Sequence, residues 1–250
     1  MPSVTETLFA LGVGDEVVGV SSYDDFPPEV RKLPKVGSFL TPNLEAIAAL
    51  RPTIVMGRGI SSNQREIHAL RALGYETLMI EDDSLAQIED GIEAIGKRVG
   101  KVAEARRVIA NIEADVNEVR ARLAGYPERR TLMLVGHQPI VAVGPGTYLD
   151  DLLKIARADN IADVSAQQWP KLSLEYIVAM RPEVIIDGQM GTDPGAPSQY
   201  WQTYQTIPAV AKHRVVGYPD SPTLHPGPRV GATLELLAKL VHPEGWATAR

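Results

Sequence analysis

Two glutamates, Glu45 and Glu175, stand 130 residues apart in nearly the same surroundings. The first lies in LEAIAALRPTIVM (44–56), the second in LEYIVAMRPEVII (174–186). Leu44, Ile47, Ala49, Arg51 and Pro52 recur as Leu174, Ile177, Ala179, Arg181 and Pro182, and the same offset pairs Phe39 with Trp169. Each glutamate follows a capping residue, Asn43 or Ser173, by two positions. It therefore falls in the first turn of a helix, where a carboxylate offsets the positive end of the helix dipole by ~0.3–1 kcal/mol. A second reading is docking. Two such carboxylates, one in each of two related halves, suit a partner of twofold symmetry that carries arginines, and they would supply orientation and association rate more than affinity.

The elements around them alternate. Ser3 and Glu6 have capping-box spacing ahead of Val4, Leu8 and Leu11, with Gly12 as the stop. In an α/β protein such a helix usually follows a strand; none precedes it, so the N-terminal sheet is expected to be one strand short. EVVGV (16–20) reads as a strand, the first repeat as a helix ended by Arg51-Pro52, and TIVMG (53–57) as a buried strand. Residues 63–73 read as a helix, 76–80 as a strand and 84–99 as a helix. Residues 101–125 carry no glycine or proline before Gly125, and Val102, Ala105, Ile109, Ile112, Val116, Val119 and Leu123 form one apolar stripe. That predicts a helix of about 24 residues, roughly 36 Å long. Alternation then resumes, with strands at TLMLVG and VAVG, a helix at TYLDDLLKIARA, the second repeat, strands at VIIDG and VVGY, and a last helix to about residue 241. The fold class is α/β: two Rossmann-like lobes, 1–100 and 126–250, joined by one long helix, 101–125, with the ligand cleft between the lobes.

The bulk numbers narrow the function. Acids outnumber bases 31 to 25, a net charge of −6, which argues against a nucleic-acid surface. No cysteine is present and the five histidines show no HxxH or HExxH spacing, so neither a thiolate site nor a zinc site is expected. The longest uncharged run, 131–149, contains Gly, Pro, His and Gln and reads as strands and turns rather than a membrane span. No export signal is visible in MPSVTETLFALG. The glycine-rich pieces GVGDEV and VGPGTY form neither GxGxxG after a strand nor a P-loop, so the chain is not expected to be an enzyme; a nucleotide-dependent α/β enzyme is the alternative of another class.

Taken in order, PSVTETLFALG, VVGVSSYDDFPPEV, VGSFLTPNLEAIAALRPTIVMG, VGPGTYLDDLL, ADNIADV, QQWPKLSLEYIVAMRPEVII and HPGPRV resemble the class III periplasmic substrate-binding proteins of ABC importers, which carry cobalamin, haem or iron-siderophores. The resemblance covers nearly the whole chain and is nearest to the cobalamin-binding members. It implies a monomeric, periplasmic or otherwise extracytoplasmic binding protein without a catalytic cofactor. Its cargo would be cobalamin or another corrinoid, with haem or a siderophore as the alternative. The role it implies for Glu45 and Glu175 is contact with arginines of the dimeric permease. It maps ligand contacts onto Tyr23 in SSYDDFPP, Trp169 in QQWPKLS, Phe39 and Asp220.

A corrin or porphyrin is a wide, flat, largely apolar disc with a polar rim, so its site needs apolar or aromatic walls and a few hydrogen bonds. Tyr23, Phe39 and Trp169 lie in irregular stretches near strand ends, where α/β folds hold ligands. Alternatively Phe39 and Trp169 anchor their own loops and Tyr23 is a surface turn. His137 follows TLMLVG and is expected to project from a strand end; His225, with Arg229 at a helix start, can meet an anionic rim group. Both histidines read equally as loop residues. Haem asks for a protein axial ligand, which Tyr23, His137 or His225 could supply, whereas cobalamin brings its own.

Overall fold

Helices and strands are interleaved along most of the chain, but the first two α-helices are joined without a strand between them. The computed structural model describes residues 1–164, 166–188, 197–218 and 225–247. The chain divides into two units: 1–113 with 225–230, and 114–224 with 231–250. The boundary falls inside one unbroken helix.

The first unit contains α1 (Pro2–Ala10), α2 (Leu44–Leu50), β1 (Ile54–Arg58), α3 (Gln64–Ala72), β2 (Glu76–Ile80), α4 (Leu85–Arg98) and the first half of α5 (Val102–Leu123). The second begins in α5 and continues with β3 (Arg129–His137), β4 (Ile140–Ala142), α6 (Tyr148–Ile155), β5 (Ala158–Asn160), α7 (Leu174–Met180), β6 (Val184–Asp187), α8 (Pro197–Trp201), α9 (Pro208–Ala211), β7 (Val215–Gly217) and α10 (Val230–Val241). At 22 residues α5 is about 33 Å long. Its stripe is buried at Ala105, Ile112, Val116, Val119 and Leu123.

The repeat folds alike in both units. The Asn43 side chain accepts from the Ala46 N–H at 3.0 Å, and the Ser173 hydroxyl from the Tyr176 N–H at 3.2 Å. Each cap starts a seven-residue helix, α2 or α7. Proline denies the preceding residue the right-handed helical region. Arg51 and Arg181 accordingly end their helices left-handed, at φ 47° and 51°. Residues 41–50 and 171–180 also share one pattern of exposure, position for position, with Ile47 and Ile177 turned inward.

The likeness stops at the strand. In the second unit β6 lies between β3 and β7, parallel to both. Val184, Ile185 and Ile186 are fully buried there, beside Leu132, Met133 and Leu134 of β3. β3 also pairs β5 in parallel and β4 antiparallel. In the first unit β1 pairs β2 in parallel and has no other strand neighbour among the described residues. Its residues are only half-buried, which corrects the expectation of a buried strand at 53–57. Beside it a cavity of about 450 Å³ opens between α1, residues 17–21 and β1, the place that β3 fills in the other unit.

That cavity explains a second correction. Residues 16–20 do not form a strand. Gly14–Glu16 is a 3-10 turn, and only Val20 bridges, to Lys35. An extended segment holds its shape through ladder hydrogen bonds, and among the described residues no strand lies beside this one to supply them. Ser3 departs from expectation too. Pro2 occupies the first turn, so α1 begins ahead of Ser3, whose hydroxyl donates to Asp82 Oδ2 at 3.1 Å. The short strand β5 and the hairpin partner β4 complete a mixed sheet in the second unit.

Candidate functional site

In the first unit Tyr23 and Phe39 come together. Their ring centroids are 5.9 Å apart at a 60° tilt, and Tyr23 is 56% exposed. The segment under Tyr23 is fixed by the Ser22 N–H donating to the Gly37 carbonyl at 2.8 Å and by the Ser21 hydroxyl donating to the Asp24 carboxylate. Gly37 has φ +90°, and a Cβ there would meet the Thr41 carbonyl at 2.7 Å, so this turn requires glycine. Buried Asn63 ties the patch to the sheet: its amide donates to the Phe39 carbonyl at 2.8 Å and to the Arg58 carbonyl, the last residue of β1, at 2.9 Å. Phe39 thus sits at a strand's carboxyl end, the end at which α/β folds hold ligands. Arg58 itself pairs with Asp82 at 2.9 Å and Asp83 at 2.5 Å. Burial raises the Asp82 carboxyl above its ordinary range, and Arg58 opposes that rise.

In the second unit His137 ends β3 and Asp187 ends β6. His137 Nε2 is 2.7 Å from Asp187 Oδ1 and 2.8 Å from Oδ2. The carboxylate is 2% exposed and also accepts the Trp201 indole N–H at 2.9 Å. Tyr200 stacks on the imidazole, with centroids 4.5 Å apart and planes 13° apart, while Trp201 meets it edge-on at 6.4 Å. Nearby, the Tyr218 hydroxyl is buried without a hydrogen-bond partner among the described residues. Burial, and then the Asp187 charge, push that phenol up to about 12.

Trp169 is 46% exposed and pairs with no other ring among the described residues. Its loop runs along the free edge of β4. The Gly144 N–H donates to the Gln168 carbonyl at 2.8 Å, Ala142 to Pro170 at 3.0 Å and Leu172 to Ile140 at 3.0 Å. The backbone on both sides of Trp169 is thus fixed, and the residue is left about half exposed.

His225 and Arg229, expected at an anionic rim, are turned to Glu6 instead. His225 Nδ1 lies 2.8 Å from Glu6 Oε1, and Arg229 donates through Nε at 2.7 Å and Nη2 at 2.8 Å. Glu6 is 3% exposed, so a buried carboxylate takes up these donors, and the Phe26 ring lies 4.0 Å from the guanidinium carbon. Asp220 lies outside the described residues. Glu45 and Glu175 are both exposed at the second position of their helices. The Glu175 carboxyl is held below its ordinary range by its own backbone N–H and by the Ser173 hydroxyl.

Sequence reasoning did not single out Asp187, Tyr200, Trp201 or Tyr218. One signal for Asp187 is visible in the repeat: at the offset of 130 it stands opposite Gly57, a carboxylate where the other copy has no side chain. No group of three histidines or carboxylates among the described residues is arranged to hold a metal ion, and no described helix is long and apolar enough to cross a membrane.

A duplicated helix–strand unit in each of two α/β bodies, an unbroken helix running from one into the other, and aromatic rings presented near strand ends define a class III periplasmic substrate-binding protein. The chain belongs to the periplasmic binding protein family, whose profile matches residues 1–222. A vitamin B12-binding protein of Yersinia pestis (strain Pestoides F) is 28% identical over 210 residues, 84% of this chain and 75% of that protein. The periplasmic vitamin B12 binding protein BtuF of Vibrio cholerae has the same fold, with a TM-score of 0.84 at 24% identity over 99% of this chain and 96% of that one. The periplasmic heme-binding protein RhuT from Roseiflexus sp. RS-1, in its apo form, gives a TM-score of 0.86 at 26% identity over 98% and 96%.

Proposed function

We propose that this chain is the substrate-capturing component of an ABC importer, that its cargo is cobalamin or a related corrinoid, and that it delivers this cargo at an extracytoplasmic membrane face. The observation that carries delivery is the pair Glu45 and Glu175, both exposed, on helices that match in length, in a side-chain cap at the same position and in a left-handed arginine end. A partner with twofold symmetry and one arginine per half meets both carboxylates in the same local geometry. Exposed ion pairs contribute ~0–1 kcal/mol each, so their work is orientation and rate of association.

Capture falls to Tyr23 and Phe39 in the first unit and Trp169 in the second. All three present ring surface near the loops that end or flank strands, which suits a flat, apolar macrocycle. The likeness to vitamin B12-binding proteins supports a corrinoid. Haem is the second reading, favoured by the carboxylate-held imidazole of His137. The test is titration of the purified protein with cyanocobalamin and with haemin, followed by absorbance and by heat. Saturable one-site binding of cyanocobalamin is expected; saturable binding of haemin alone makes the cargo a porphyrin.

A further inference from the structure

The cavity beside β1 is bounded by two edges that lack partners. Among the described residues β1 pairs only with β2, so its other flank has no ladder. Residues 17–21 form the facing edge. Alternate residues of an extended chain turn their N–H and C=O groups to opposite flanks. Val20 and Ser22 are used on one flank. The Val20 N–H donates to the Pro34 carbonyl at 2.9 Å, the Val36 N–H to the Val20 carbonyl at 3.0 Å and the Ser22 N–H to the Gly37 carbonyl at 2.8 Å. Gly19 and Ser21 therefore face the other way, and among the described residues neither N–H donates to a backbone carbonyl. Both residues line the cavity, and Ser21 is buried. A buried N–H without an acceptor costs free energy, and largely apolar walls, with Val4, Leu8, Val36, Ile67 and Met79 among them, give water little to bind.

The second unit shows what such a gap takes. There β6 pairs β7 in parallel, as β1 pairs β2, and β3 lies between β6 and β5, parallel to both. Thr131, Leu132, Met133 and Leu134 of β3 are fully buried, and they pair with Val184, Ile185, Ile186 and Asp187. Those four stand opposite Ile54, Val55, Met56 and Gly57 at the offset of 130. The strand that fits beside β1 is thus a run of about four uncharged residues, apolar on both faces, free of proline and parallel to β1.

We propose that the first unit is a strand-accepting site: it takes an extended apolar segment of another polypeptide as a parallel strand between β1 and residues 17–21. The segment bonds to β1 on one side and accepts the N–H groups of Gly19 and Ser21 on the other. Main-chain hydrogen bonds supply the affinity, and the cavity walls select apolar side chains. A charge or a proline in the middle of the segment is refused, the first for want of water and the second for want of a donor. The site stands whatever the cargo is.

The test uses the full, unaltered chain and a synthetic peptide with the sequence of residues 129–136, RRTLMLVG, whose two arginines keep it in solution. Heat of mixing measures binding, and amide exchange read by mass spectrometry locates it. Saturable one-to-one binding is expected. With peptide at roughly ten times its dissociation constant, exchange in residues 17–21 and 54–58 should slow about tenfold, and the thermal midpoint should rise. A peptide with lysine in place of its methionine should not bind. The same peptide N-methylated at both leucines and the methionine keeps its side chains, loses those donors and should not bind either. Unchanged exchange in both segments overturns the proposal. Equal binding of the N-methylated peptide overturns it too, because the cavity then holds apolar groups without a ladder. Protection of 54–58 that rises with protein concentration in the absence of peptide makes a second copy of the chain the occupant, and likewise overturns it.

Discussion

Arg229 lies against Glu6 with two donated hydrogen bonds, 2.7 Å from Nε and 2.8 Å from Nη2, although 223 residues separate them in the chain. His225 adds a third contact to the same carboxylate. Removing one partner of a buried pair strands the other charge, at a cost of about 3–5 kcal/mol. Glu6→Ala is therefore expected to lower the thermal midpoint and the denaturant midpoint together. Arg229→Ala should do the same, and the two losses should be far from additive in a double-mutant cycle.

Tyr23 is 56% and Trp169 46% exposed, so neither holds up a core. Tyr23→Ala and Trp169→Ala should each leave the thermal midpoint unchanged. Each should weaken ligand binding by roughly 3–10-fold, from ~0.5–1.5 kcal/mol per aromatic contact plus lost burial. An unchanged dissociation constant in both would remove these rings from the site.

Glu45→Ala with Glu175→Ala is expected to leave ligand affinity intact and to abolish ligand-stimulated transport in vesicles that carry the permease. Both side chains are exposed in the first turn of short helices. Their loss therefore costs the fold little, since the helix-dipole effect on an exposed carboxylate is weak and screened. Transport at wild-type rate would end the docking assignment.

The Tyr218 phenol is raised to about 12 by burial and then by the Asp187 charge. An acid whose folded-state value lies above its unfolded value near 10 keeps its proton in the folded protein while the unfolded chain releases it. Stability must then fall as pH rises from about 10 towards 12. Chemical denaturation across that range should show a slope that Tyr218→Phe flattens. An identical slope in the variant would mean that the phenol ionises freely in the folded state.

Amide exchange should separate the two copies of the repeat. Among the described residues β6 has a strand on either side and full burial, whereas β1 has one strand neighbour and half-burial. Protection of the β1 amides should be lower than that of the β6 amides by orders of magnitude, because local opening of β1 breaks fewer contacts. Equal protection would show that the cavity beside β1 does not weaken that strand.

Much of this was legible because it is local. Caps three residues from their donors, a stripe at intervals of three and four along α5, and a proline that stops a helix all act within one turn or two. The same locality made Glu45 and Glu175 visible. Residues 16–20 failed for the opposite reason: a strand is settled by its neighbour, and among the described residues this segment makes only the Val20–Lys35 bridge, which its own alternation does not foretell. The His137–Asp187 pair joins residues 50 apart, and Glu6 finds partners 219 and 223 residues on, so neither has a spacing that a scan for motifs registers.

The half-covered β1 has a bearing on handling the protein at all. A strand whose N–H and C=O groups have, among the described residues, no ladder on one flank, set over apolar side chains such as Val18 and Ile54, is adhesive towards any other extended chain. Clumping at high concentration should begin there, in the half of the molecule with the thinner sheet, and a lysine in place of Val18 is the change most apt to keep concentrated solutions clear.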